Sequence, residues 1–157
     1  MIRVERAVRI AAPAHVAWDI LRDFSLTEIA RGICKRVTVE GTGIGAVRTM
    51  YMDGAWGEGH VDVHEASVKE RLETYDEAER SMSYRLIDVG PVPFADYVGT
   101  ARIVPAGPDA CVAVMTSAFV PVEIDEATAR AMSEASIDRA LANLREAAGS
   151  RVKSTPV

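Results

Sequence analysis

Two stretches of this 157-residue chain gather side chains able to move protons or hold an oxygen atom. In DGAWGEGHVDVHEAS, residues 53–67, His60 and His64 stand with Glu58, Asp62 and Glu65. If HVDVHE is extended, positions 60, 62 and 64 point to one side and gather a His-Asp-His set, the donor types of a metal site. Nothing else in the sequence supplies a further ligand at recognisable spacing, so no metal is expected. The segment then reads as a polar hairpin extension, or as a lid whose histidine transfers a proton near neutral pH. Trp56, beside Gly54, Gly57 and Gly59, is placed either to close over a ligand or to stand exposed as a loop or oligomer contact. The second stretch, KERLETYD, carries Glu70. With Glu70 inward on an alternating strand, Leu72 and Thr74 share its face, and Lys69, Arg71 and Glu73 make a charged exterior.

Several other chemistries lack their residues. There is no G-x-S-x-G elbow, phosphate loop or dinucleotide fingerprint, because GTGIG joins strand to strand and has no helix start to receive a phosphate. A protein without a cofactor is expected. The net charge of -5 provides no basic stripe, which disfavours nucleic acid and anionic membrane as partners. No apolar run is long enough to span a bilayer, and MIRVERAVRI does not resemble a signal peptide, so a cytoplasmic protein without membrane insertion is expected. Cys34 and Cys111 lie in strand-like runs without a C-x-x-C motif and read as buried, reduced thiols.

The elements that must position these groups follow from periodicity. RVERAVRIAA alternates as a half-buried strand, and APAHVAWDILRDF follows with Pro13 in the first turn of a helix and Val16, Ile20, Leu21 and Phe24 at helical spacing. SLTEIARGI reads as a second short helix capped by Ser25, with Glu28 three residues on. Six strand-like runs come next, separated by glycine- and proline-rich turns. A long amphipathic helix then starts at Asp125 and is expected to stop at Gly149. The reading is one domain over 1–149 with a polar tail over 150–157, of class α+β: two short helices after strand 1, and seven antiparallel strands that curl around the long helix. That helix presents small residues, Ala129, Ser136 and Ala140, where leucine would fill space. They leave a cavity against the sheet or allow close helix-to-sheet packing.

Order and motifs along 3–149 resemble the START-like helix-grip superfamily, in particular the SRPBCC polyketide cyclase/dehydrase proteins. The carrying segments are APAHVAWDILRDF, GIGAVRT, KERLETYDEAERSMSYRL, DYVGTARIVP, SAFVPV and the closing helix. ERLETYDEAERSMSYRLID followed by DYVG is also similar to part of the plant abscisic acid receptors. That similarity puts Glu70, Tyr97 and Lys35 on a cavity and the 53–67 segment at its mouth. The receptors' serine-proline gate motif is missing, so only the geometry is carried over.

The resemblance selects the faces. On the second and third strands it turns Lys35, Arg48, Met50 and Met52 inward, and on the fourth Glu70 and Leu72. On later strands it selects Tyr84, Phe94, Tyr97, Met115, Ser117 and Phe119, and on the helix Met132 and Ser136. An inward Glu70 would be paired with Lys35 or Arg48, protonated or hydrated, since a bare buried charge is costly. The function implied is binding of a hydrophobic, oxygen-bearing small molecule, aromatic or lipid-like, by a monomer or homodimer. As a cyclase or aromatase, the protein would use Glu70 or His64 to move protons and Arg48, Tyr84 and Tyr97 to hold carbonyl oxygens, with Trp56 and His60 near the ligand. The alternative is a non-catalytic carrier or sensor using the same pocket.

Overall fold

The computed structural model describes residues 1–52 and 66–154. The elements run β1 (Ile2–Ile10), α1 (Ala14–Leu21), β2 (Cys34–Glu40), β3 (Val47–Met52), β4 (Ser67–Asp76), β5 (Ser81–Asp88), β6 (Phe94–Pro105), β7 (Cys111–Pro121) and α2 (Glu126–Ser154). Among the described residues the strands form one sheet in the order β1-β7-β6-β5-β4-β3-β2. Every neighbouring pair is antiparallel. The chain thus lays down β2 to β7 as a meander and returns its first strand to the far edge.

Alternation decides which side faces the core. Cys111, Ala113, Met115, Ser117 and Phe119 of β7 are buried in turn, and Ile2 and Val4 of the neighbouring β1 are buried beside them. Ala129, Ile137, Leu141, Leu144 and Ala148 of α2 cover that end of the sheet. Helix α2 packs against β1, β7 and α1. At the β1 edge, Arg130 donates from Nη1 to the Arg3 carbonyl at 2.9 Å, and Arg6 pairs with Asp138 at 2.7 Å. Cys34 and Cys111 are both buried.

Two elements differ from expectation. SLTEIARGI is not a helix but a series of turns, leaving one short helix after β1. Ser25 does not cap forward: its hydroxyl donates to the Asp23 carboxylate at 2.5 Å, and Leu26 takes a left-handed φ of 56° that a helix cannot continue through. Two carbonyls of the segment, those of Ile29 and Arg31, face α2 and accept from buried Asn143, each at 2.7 Å. Helix α2, in turn, does not stop at Gly149 but continues to Ser154. Ala148, just before the glycine, is fully buried, and beyond it Arg151 pairs with Glu28 of the turn segment. One glycine costs a helix only about 1 kcal/mol relative to alanine, too little to end this one.

Candidate functional site

The strand registers build the site. Arg48 of β3 stands directly across from Glu70 of β4, Leu72 of β4 across from Tyr84 of β5, and Tyr84 across from Gly99 of β6. Arg48 Nε donates to Glu70 Oε1 at 2.9 Å and Nη2 lies 2.8 Å from the same oxygen, with both side chains about nineteen-twentieths buried. The guanidinium carbon lies 4.2 Å from the centre of the Phe24 ring and 4.7 Å from that of Tyr84. Nη1 donates to the Phe24 carbonyl at a long 3.4 Å. One buried cation is therefore held by a carboxylate, two aromatic faces and a backbone carbonyl, which offsets its desolvation.

Tyr84 owes its place to a missing side chain. A Cβ at position 99 would lie 2.3 Å from Tyr84 Cε2, so the ring can lie across the strand only because residue 99 is glycine. Burial, with the Glu70 charge second, pushes the Tyr84 phenol up to about 12. Burial likewise holds the Tyr97 phenol well above its ordinary value, helped by Tyr84 and Glu70. Both are neutral hydrogen-bonding groups at physiological pH.

Between β3–β7 and α2 lies a cavity of about 100 Å³. Arg48, Glu70, Tyr84 and Tyr97 form its polar part. Met50, Met52, Met82 and Met115 give it adaptable apolar walls, joined by Phe94 and Leu86. The turn segment after α1 adds Leu26, Ile29 and Ile33, and Cys34 follows them at the start of β2. Helix α2 contributes Ser136, Ile137 and Ala140.

The remaining expected residues stand elsewhere. Lys35 is exposed. The β2–β3 register shifts between Cys34 and Arg36, and Cys34 takes the cavity side, so among the described residues Arg48 is the cation paired with Glu70. Leu72 is buried in the core, and Met132 packs against it. Ser117 is buried in a 2.7 Å hydroxyl pair with Ser133 of α2. Phe119 lies behind the wall, its ring 4.1 Å from Phe94 and 5.9 Å from Tyr97. Trp56, His60 and His64 fall outside the described residues. Among the described residues no group of three or more His, Cys, Asp or Glu side chains stands together as a metal site.

Sequence reading missed Phe24 as a partner of Arg48, and Ser133 and Asn143 as buried polar anchors. For Ser133 the signal was present: Ala129, Ser133, Ile137 and Leu141 repeat every fourth residue, one position away from the Met132, Ser136, Ala140 stripe. For Phe24 there was none, because its role depends on a left-handed turn two residues later.

The family described as Polyketide cyclase / dehydrase and lipid transport matches residues 1–149. No curated protein matches. Among solved structures, the protein XoxI from Bacillus cereus shares 17% identity at a TM-score of 0.79, covering 94% of this chain and 96% of its own. The Zhui aromatase/cyclase from Streptomyces sp. R1128 shares 24% identity at 0.77, covering 98% and 96%. Norcoclaurine synthase from Thalictrum flavum, in complex with dopamine and hydroxybenzaldehyde, shares 17% at 0.70, covering 99% and 89%. At these identities the solved structures speak for the fold, a seven-stranded sheet gripping a long C-terminal helix, and the match over 149 residues for the lineage. This chain belongs to the polyketide cyclase/dehydrase and lipid transport family, whose fold binds small molecules.

Proposed function

We propose that the cavity binds a hydrophobic, oxygen-bearing small molecule and that the protein acts on it as a cyclase or aromatase, by intramolecular aldol condensation and dehydration. The observation that carries this reading is the convergence of Arg48, Glu70, Tyr84 and Tyr97 in one otherwise apolar space. The apolar walls would fold a flexible substrate so that its reacting carbons meet, which removes much of the entropic barrier. Glu70 would take the proton from a carbon between two carbonyls. The resulting enolate would attack a third carbonyl carbon farther along the substrate chain, the alkoxide formed would take the proton back from Glu70, and loss of the hydroxyl with a neighbouring C–H proton as water would follow. Arg48 has five N–H groups and its described contacts do not use them all, so it keeps donors for the developing oxyanion. The neutral phenols of Tyr84 and Tyr97 would donate to the same oxygen.

A carrier or sensor is the competing reading, and one observation favours it. Arg48 is already clamped between Phe24 and Tyr84 and bonded to Glu70, as a fixed polar cap on a greasy ligand would be. Turnover of a linear poly-β-ketone, followed by the absorbance of the ring that forms, separates the two. Glu70→Gln should bind the substrate within a few-fold of wild type and lose about 100-fold or more of turnover, the scale of a general base. Unchanged turnover removes Glu70 from the chemistry, and no turnover by wild type with ligand retained in native mass spectrometry leaves the carrier.

A further inference from the structure

The charge balance of the cavity narrows the ligand class, on the reading that this cavity is the binding site. Among the described residues its lining carries one cation and one anion, Arg48 and Glu70, and they neutralise one another at 2.8 Å. Lys35, the further cation that the family resemblance placed there, is exposed instead. A carboxylate entering this space would lose its hydration and meet the ionised Glu70 in a poorly screened interior, where Arg48 keeps N–H donors but its charge is already balanced; that balance lifts only while Glu70 holds a proton taken from substrate. A ketone, aldehyde or phenol meets no such opposition. It needs a hydrogen bond rather than a counter-charge, and Tyr84 and Tyr97 line the same space as neutral donors.

We infer that Glu70 is a specificity residue: by balancing the charge of Arg48 it makes the cavity select uncharged oxygen-bearing ligands and reject carboxylates of the same shape. Binding of carboxylates is restored when the negative charge at position 70 is removed.

The test is calorimetric titration of the intact protein near neutral pH with three probes of one ring system: 2-naphthol, methyl 2-naphthoate and 2-naphthoate. Naphthol and the ester should bind, and the carboxylate should bind at least ~10-fold more weakly, which is one pKa-unit equivalent of interaction. Glu70→Gln keeps a similar shape and an acceptor for Arg48, and should raise the affinity for 2-naphthoate while changing the two neutral probes little. A carboxylate that binds wild type as tightly as its ester overturns the inference and leaves the cavity-binding reading standing. Binding of none of the three by wild type overturns that reading, and the inference with it. A Glu70→Gln protein that folds but gains nothing for 2-naphthoate shows that the burial of charge in general, rather than Glu70, does the excluding, and so overturns the role assigned to Glu70. Should that variant fail to fold, the wild-type ranking of ester over carboxylate still decides the selectivity.

Discussion

Along α2, Ala129, Ser133 and Ala148 are at most 2% exposed, while Ser136 and Ala140, on the same helix and of similar size, border open space. Ser133 of the first group meets Ser117 of β7, at the end of the sheet where β1 and β7 pack on the helix, and the first group's small side chains let the helix pack closely. The second faces the strands that carry Arg48, Glu70 and Tyr84, and there the same small side chains leave volume unfilled. The polar groups divide in the same way. The closed end is joined by a neutral, mutual pair, Ser117 with Ser133, and the open end holds a charged one. A small residue on a helix therefore has no packing meaning by itself; the distance to the facing sheet supplies it.

The largest expected effect comes from unbalancing the open end. Arg48→Met should cost about 3–5 kcal/mol by stranding the Glu70 carboxylate, and Arg48→Met/Glu70→Leu should recover most of that loss. At roughly 2–4 °C per kcal/mol for a domain of this size, thermal unfolding resolves both. A single variant as stable as wild type would mean that the pair is well hydrated and that the two ends of the helix differ less than their geometry implies. The same substitution at two places on α2 sharpens the contrast. Ala129→Leu overpacks the closed end and should cost about 1–3 kcal/mol, while Ala140→Leu should fill the cavity at under about 1 kcal/mol and abolish ligand retention. Equal costs at the two positions would erase the distinction. The smallest effect is in the alkaline range. The folded Tyr84 value is raised to about 12 from an ordinary value near 10, so its contribution to stability is complete below pH 10 and is lost as pH climbs through 12. Ultraviolet titration of tyrosinate should show this late phase, and Tyr84→Phe should reduce it to the part that Tyr97 contributes. If Tyr84 ionises near 10, the open end is wetter than a ligand cavity should be.

The alternation of β3 to β7 was legible, because a period of two fixes every other residue once one face is chosen. The family resemblance chose that face, and the two together brought Arg48, Glu70, Tyr84 and Tyr97 into one set. The choice between a cavity and close packing at the small-residue face was not legible, since both occur and only tertiary distance separates them. Nor was the partner of Glu70: Lys35 and Arg48 were equal candidates until the register shift beside Cys34 turned Lys35 outward. The second short helix failed for a local reason, a capping serine diverted to Asp23 and a leucine in a left-handed conformation. The stretch of α2 past Gly149 makes an ion pair, Arg151 with Glu28, whose partners are 123 residues apart in sequence.

The contact between Arg130 and the Arg3 carbonyl has a consequence for association. An open sheet ends in strands whose unpaired backbone groups can template another chain, and β1 is such an edge. Here a long helix runs beside that edge, and one of its arginines already occupies a carbonyl that an incoming strand would need. The element that walls the cavity also guards a border of the sheet against edge-to-edge growth.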